Sequence, residues 1–258
     1  SRMLSQILLI GGSDSSGLAG IQADQSICQH YTIRPHIVTT SVTIQDSINF
    51  YNRFDQDSGF ISDSILNILE NNQIDVVKIG MLANLKICQE IFSIFHKSKV
   101  RVVLDPVFKS TSGGALLDLD AMEFLREKIL PICYVITPNI AEAELLTDQE
   151  IINLETMRDS CKALKALATE SNIIIKGGHL ENSEFSTDIL YENENRVHVE
   201  QVQRVNNKLR GSGCRFATAV ACNLILGKSL QESFLISKKL IASLFNQEKN
   251  VTYGELKA

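Results

Sequence analysis

Five apolar runs in this chain each stop at a polar or glycine-bearing cluster. They are Ile10-Gly11-Gly12-Ser13-Asp14, Ile79-Gly80-Met81, Leu104-Asp105-Pro106, Ile136-Thr137-Pro138-Asn139 and Ile175-Lys176-Gly177-Gly178-His179. A sixth cluster, Gly211-Ser212-Gly213-Cys214, opens an apolar helical stretch. Its two glycines let several backbone N–H groups turn toward one point, and a helix N-terminus built this way suits an anion such as a phosphate. Cys214 falls in the first helical turn, where the dipole favours thiolate and lowers the thiol pKa if the side chain is accessible. The plainer alternative is one more buried thiol.

The other clusters each carry two readings. Asp105 could hold magnesium, directly or through water, beside a triphosphate, or be a turn aspartate before proline. Thr137-Pro138-Asn139, with Glu142 and Glu144 beyond it, starts a helix with carboxylates; capping and dipole complementation account for that pattern without any ligand. Lys176 leaves a strand expected to be buried on both faces, so it must reach a phosphate or solvent. The loop Gly11–Gly17 is rich in glycine and serine but has neither Gly-x-Gly-x-x-Gly nor Walker spacing. It is better suited to folding over a small substrate than to holding a dinucleotide.

These clusters need a scaffold that brings them to one edge. Apolar runs at Ile7–Ile10, His36–Gln45, Val76–Ile79, Val100–Leu104, Tyr134–Ile136 and Ile173–Lys176 predict strands. Helices are predicted between them: Ile21–Tyr31, one bearing Ile61, Ile65, Ile68 and Leu69, one bearing Ile87, Ile91, Ile94 and Phe95, Asp120–Leu130, and one bearing Met157, Cys161, Leu164 and Ala168. Asp188–Tyr191 and Arg196–Val202 flank a turn-like Glu192–Asn195 and predict an antiparallel edge hairpin. Helices Cys214–Leu226 and Leu230–Asn246 close the chain. The alternation is that of an α/β fold, a mostly parallel central sheet flanked by helices on both faces. Ligands bind such sheets outside the carboxyl ends of the strands, where all these clusters lie.

The chain has 258 residues, 44% apolar and 21% charged, with a net charge of −5. That composition suits a single domain with a substantial core across 1–258; Ser1-Arg2 ahead of Met3 looks like an expression scar. No basic stripe points to nucleic acid, and no apolar run is long enough for a membrane span or signal peptide. Six cysteines, at 28, 88, 133, 161, 214 and 222, form no Cys-x-x-Cys pair. A reduced, cytoplasmic protein without cysteine-bound metal is expected.

Taken together, Gly12-Ser13-Asp14-Ser15-Ser16-Gly17 with Ala19-Gly20-Ile21-Gln22-Ala23-Asp24, Lys78-Ile79-Gly80-Met81-Leu82, Asp105-Pro106-Val107, Thr137-Pro138-Asn139 with Glu142-Ala143, and Lys176-Gly177-Gly178-His179 resemble the hydroxymethylpyrimidine/phosphomethylpyrimidine kinases of thiamine biosynthesis. These belong to the ribokinase-like superfamily, and the resemblance runs from about Ile7 through the last helix. It implies ATP as cosubstrate, Mg2+ as cofactor, a small pyrimidine substrate and a homodimer. It also implies a pyrimidine pocket of Gly12, Asp24, Gln45 and Met81 with the strand around Val42 and Thr43. Asp105 and Glu142 would organise magnesium. Asn139, Lys176 and Arg210 would lie along ATP, the amides of Gly211, Ser212, Gly213 and Cys214 would form an anion hole, and Cys214 would act as base. The chain departs from the family at Leu18, Asp46, Phe108, Gly114, Lys208-Leu209-Arg210 and Ser212. Gly114 stands where a charged or polar residue near the substrate phosphate is expected. A pyridoxal or pyridoxine kinase of the same superfamily and a catalytically silent pyrimidine binder are the alternatives.

Overall fold

A computed structural model describes residues 3–178, 180, 185–203 and 212–248, with Gln203 and residues 245–248 as backbone only. One nine-stranded sheet runs through it. In chain order the strands are β1 (Gln6–Asp14), β2 (Arg34–Gln45), β3 (Phe50–Asp55), β4 (Val76–Ile79), β5 (Arg101–Leu104), β6 (Val135–Ile136), β7 (Asn172–Gly177), β8 (Phe185–Asn193) and β9 (Arg196–Gln203). They lie in the order β3-β2-β1-β4-β5-β6-β7-β8-β9. The six from β2 to β7 are parallel, and β3, β8 and β9 run antiparallel at the two edges. The expected mostly parallel sheet and its edge hairpin are both present.

Helices α1 (Gly20–Tyr31), α7 (Ser212–Ile225) and α8 (Leu230–Glu248) cover one face. Helices α2 (Ser58–Asn71), α3 (Leu85–Phe95), α4 (Leu119–Phe124), α5 (Ile140–Thr147) and α6 (Leu154–Leu167) cover the other. Because side chains alternate along a strand, each central strand feeds both cores. Ile7, Leu9, Val76, Val103, Val135 and Ile174 pack toward the three-helix layer. Leu8, Ile10, Val77, Ile79, Leu104, Ile136, Ile173 and Ile175 pack toward the five-helix layer. The same alternation carries Lys78, Asp105, Thr137 and Lys176 to the three-helix side, at neighbouring strand ends. Four polar side chains therefore converge under α7.

Three local features depart from the sequence expectation. β1 continues through the Gly11–Asp14 cluster, and β2 carries a bulge there, with Gly11 opposite Thr39 and Gly12 opposite Ser41. The bulge frees Thr40 to donate a 2.6 Å hydrogen bond to the Met81 carbonyl. β3, not predicted, is an edge strand whose exposed Tyr51, Asn52 and Phe54 break the inward apolar pattern. The predicted helix Asp120–Leu130 breaks up after α4 into a π turn (Leu125–Ile129) and a 3-10 turn (Leu130–Ile132). Pro131 lacks the N–H and its ring crowds the carbonyl four residues earlier, so the α-helical ladder cannot continue.

Gly177 shows how tightly β7 and β8 approach, since a Cβ there would lie 1.7 Å from the Thr187 carbonyl oxygen. Among the described residues, no helix is long and apolar enough to cross a membrane.

Candidate active site

Lys78 is 1% exposed and is among the largest fully buried side chains of the protein. Its ammonium donates to both carboxylate oxygens of Asp24 on α1, at 2.9 and 3.0 Å. Thr218 of α7 adds a 2.8 Å hydrogen bond to Asp24 Oδ1. Burial works against the Lys78 ammonium, but Asp24, Cys214 and Asp105 outweigh it and hold the lysine above its ordinary value. Burial pushes the Asp24 carboxyl up, against Lys78 and Thr218. The proton stays on Lys78, and the pair pins α1, β4 and α7 together from inside the cavity wall.

A second pair lies beside it. Lys176 Nζ donates to Asp105 Oδ1 at 3.1 Å, and Thr137 Oγ1 reaches the same oxygen at 3.5 Å. Gly213 comes down on this pair: a Cβ there would lie 2.8 Å from Lys176 Nζ. Glycine therefore lets the first turn of α7, with its unsatisfied N–H groups, rest against an ammonium. Asn139 and Glu142 form a reciprocal capping box on α5, Asn139 N donating to Glu142 Oε1 at 2.9 Å and Glu142 N to Asn139 Oδ1 at 2.8 Å. The capping role is thus real, and both residues also line the cavity. Burial, then the Asp105 charge, pushes Glu142 up to about 8 against the pull of Lys176.

A cavity of about 490 Å3 joins these groups. At one end it is lined by Gly12, Asp24, Thr43, Gln45, Met81 and Leu116, and at the other by Gly178, Ser186, Asp188, Lys238 and Ile241. Lys78, Asp105, Glu142, Lys176, Ser212, Gly213 and Cys214 line it between. A Cβ at Gly12 would lie 2.6 Å from the Met81 sulfur, so any side chain there would displace Met81 from the cavity wall. Gln45 is held at both ends of its amide: it donates to Thr43 Oγ1 at 2.9 Å and accepts from Ser112 Oγ at 3.1 Å. The Gly11–Gly17 loop is shaped by Asp14, which accepts from Ser16 N at 2.9 Å and Ala19 N at 3.0 Å.

Several expectations are corrected. Val42 does not line the cavity; alternation along β2 turns Thr43 and Gln45 inward and leaves Val42 42% exposed on the outer face. Cys214 is not a low-pKa thiol. Burial pushes it up to about 11, although Lys78 and a hydrogen bond from the Gly20 N–H act in the opposite direction. Gly114 is not at the cavity wall, because a Cβ there would collide with the Phe50 ring. Phe108 is buried in the core. Arg210, Gly211, His179 and the Lys208-Leu209 approach lie outside the described residues.

Lys78 and Thr218 were not assigned roles from sequence, and neither were Asp188 and Lys238. Lys78 does carry a signal, being a lone cation in Val76–Ile79, an otherwise apolar strand. Asp188 and Lys238 meet across β8 and α8 at 3.1 Å, and Asp188 Oδ1 also accepts from Gly177 N at 2.9 Å. No local pattern announces that contact.

Two measurements check this electrostatic arrangement. Lys78→Met strands the Asp24 carboxylate and lowers stability by about 3–5 kcal/mol in urea unfolding, whereas Lys78→Met with Asp24→Leu recovers most of the loss. Burial and the neighbouring Asp105 charge hold Glu142 at about 8 in the native state, against an ordinary glutamate value of about 4.5. Its contribution to stability is therefore complete below about pH 4.5 and is lost as pH rises toward 8. Melting temperatures of the wild type should fall across that window relative to Glu142→Gln, which keeps the cap; parallel curves would refute the assignment.

Known proteins are similar to this chain in sequence and in fold. A sequence profile described as phosphomethylpyrimidine kinase matches residues 14–257. The hydroxymethylpyrimidine/phosphomethylpyrimidine kinase of Aquifex aeolicus is 33% identical over 248 residues, covering 96% of each chain. Among solved structures, phosphomethylpyrimidine kinase from Clostridium difficile 630 superposes with a TM-score of 0.82 at 32% identity, covering 93% of this chain and 99% of that one. An ADP complex of Bacillus subtilis pyridoxal kinase superposes with a TM-score of 0.83 at 28% identity, covering 92% and 90%. A helix start resting on two lysine–aspartate pairs at the carboxyl edge of a parallel sheet is thus set in a sequence that matches one family along nearly its whole length, and the chain belongs to the phosphomethylpyrimidine kinase family.

Proposed function

We propose that this protein transfers the γ-phosphoryl group of ATP to the hydroxymethyl oxygen of 4-amino-5-hydroxymethyl-2-methylpyrimidine, and then phosphorylates the monophosphate to the diphosphate. The observation that carries the reading is the single cavity leading from Gly12, Gln45 and Met81, past the α7 start, to Lys176 and Asp188. It has room for an acceptor at one end and a nucleotide at the other, with the amides of Ser212, Gly213 and Cys214 at the junction. Phosphoryl transfer asks the protein mainly for positioning and charge stabilisation. Gln45 and Asp24 orient the acceptor ring. Lys176 and Asn139 hold the phosphates, joined by Arg210 and Gly211. One O–P bond forms to the acceptor as the bond to ADP breaks, and the hydroxyl proton passes to the Cys214 thiolate.

Asp105, and Glu142 once the cation displaces its proton, suit a magnesium ion carried in by the nucleotide. Among the described residues no three His, Cys, Asp or Glu side chains cluster to hold a metal alone. Magnesium commonly takes one or two carboxylates and completes its shell with phosphate oxygens and water. Bound there, it would neutralise charge on the phosphate oxygens. The likeness to a pyridoxal kinase of Bacillus subtilis supports the alternative reading, in which pyridoxal is the acceptor.

Cys214 is the proposed base. With its thiol near 11, only about one molecule in ten thousand carries thiolate at pH 7. A base role thus requires turnover to climb with pH toward that value. A coupled ADP assay with the pyrimidine, its monophosphate and pyridoxal tests substrate and step together, and the expected result is turnover of both pyrimidines. ADP from pyridoxal alone, or ligand binding without turnover, would overturn the main reading. In the same assay Cys214→Ala should lose most activity and the alkaline rise; near-normal turnover removes it as base.

The protein is further proposed to work in the cytoplasm as one kinase domain and as a homodimer. Val42, Ile44 and Phe54 expose a contiguous apolar face on β2 and the edge strand β3, which a second copy would cover. Sedimentation equilibrium should give two chains for the wild type and one for Ile44→Glu with Phe54→Glu. A wild-type monomer would end the dimer proposal.

A further inference from the structure

The segment between β5 and α4 folds back on itself as a small turn. Ser110 N donates to the Gly114 carbonyl at 2.8 Å, Gly113 N to the Ser110 carbonyl at 3.0 Å, and Leu116 N to the Phe108 carbonyl at 2.8 Å. Lys109, Ser110, Thr111 and Leu116 from this turn line the acceptor end of the cavity. Phe108 and Leu116 anchor its two ends in the core, but the stretch from Lys109 to Ala115 between them places no side chain there. It is held instead from the β2–β3 hairpin at three points. Ser112 donates to Gln45, the Phe50 ring closes on Gly114, and Arg53 reaches across from β3.

Arg53 makes the most contacts of the three. Its guanidinium donates to the Ala115 carbonyl at 3.2 Å and to the Ala83 carbonyl at 3.3 Å. It pairs with Asp118 just past the turn, and with Asp55 at 3.3 Å. Asp55 is fixed in turn by Asn84 and by Ser41, each at 2.9 Å. Only a planar fork with several donors can bridge two carbonyls and two carboxylates at once. The Arg53 side chain is 18% exposed, so these bonds are only partly screened by water.

We propose that Arg53 is a positioning residue that seats the 108–116 turn over the acceptor end of the cavity and thereby keeps water from the transferring phosphoryl group. This rests on the kinase function proposed above. A site that admits water to the γ-phosphoryl group hydrolyses ATP without making product, so closure should appear as tight coupling.

Two readouts on Arg53→Ala, Arg53→Lys and Gly114→Val test it. The first is amide hydrogen exchange, which needs no activity. Exchange at Ser110, Gly113 and Leu116 should quicken at least tenfold in Arg53→Ala, with the β4 and β5 amides unchanged. The second is ADP formed per phosphorylated product. It should rise severalfold, together with the acceptor KM, in Arg53→Ala. Gly114→Val, which wedges the turn away from Phe50 while leaving the Arg53 side chain itself intact, should do the same, and Arg53→Lys should fall between. Unchanged exchange in the turn overturns the seating role. Quicker exchange with an unchanged ADP-to-product ratio overturns water exclusion. A wild type that forms no ADP with any acceptor refutes the kinase reading instead, and the exchange result still decides whether Arg53 seats the turn.

Discussion

The first turn of α7 rests on two lysine–aspartate pairs, and the arrangement of the site follows from that contact. Lys78 with Asp24 and Lys176 with Asp105 present two ammonium groups to a helix end that already carries partial positive charge. Such an array is tolerable only because each cation has its carboxylate within hydrogen-bond distance. Its residual character is attractive to anions. Gly213 makes the approach possible, since any side chain would drive Lys176 away.

This contact binds parts of the chain that are remote in sequence. Asp24 comes from α1, Lys78 from β4, Asp105 from the end of β5, Lys176 from β7 and Thr218 from α7. Buried ion pairs contribute little net stability because desolvation offsets their attraction, but removing one partner is costly. They act here mainly to set the register between α1, α7 and the sheet. The acceptor end has a different character. It is closed by hydroxyls, amides and one arginine from a hairpin and from a turn whose two ends, Phe108 and Leu116, are set in the core.

Much of this was legible in the sequence because strands have a period of two. Apolar runs ending in Asp105, Thr137 and Lys176 have to place those residues at one edge, and the helix start at Ser212 has to sit near them. The capping box of Asn139 and Glu142 was equally local. Residues whose meaning depends on tertiary partners were not legible. Cys214 has the helix-start position of a reactive thiol, but the burial that raises its pKa comes from the surrounding fold. Val42 was placed by strand membership alone, and its side was set by the β2 alternation. Arg53 sits in a strand with exposed aromatics, and apart from Asp55 its partners lie 30 to 65 residues away. Gly114 resembles a lost polar ligand until the Phe50 ring is seen against it.

The two helix layers share one sheet but not one task. Lys78, Asp105 and Lys176 point into the layer of α1, α7 and α8, while the α2–α6 layer receives mainly aliphatic side chains from the central strands. Away from the α5 start, Met81 and Leu116, which line the cavity, the five-helix side mainly fills volume, and volume-conserving swaps among its Ile, Leu and Val cost little. The three-helix side is a gauge block. A methyl group gained or lost at Val103, Val135 or Ile174 changes the height of α7 above its two lysines, and so the width of the slot into which a phosphate must fit.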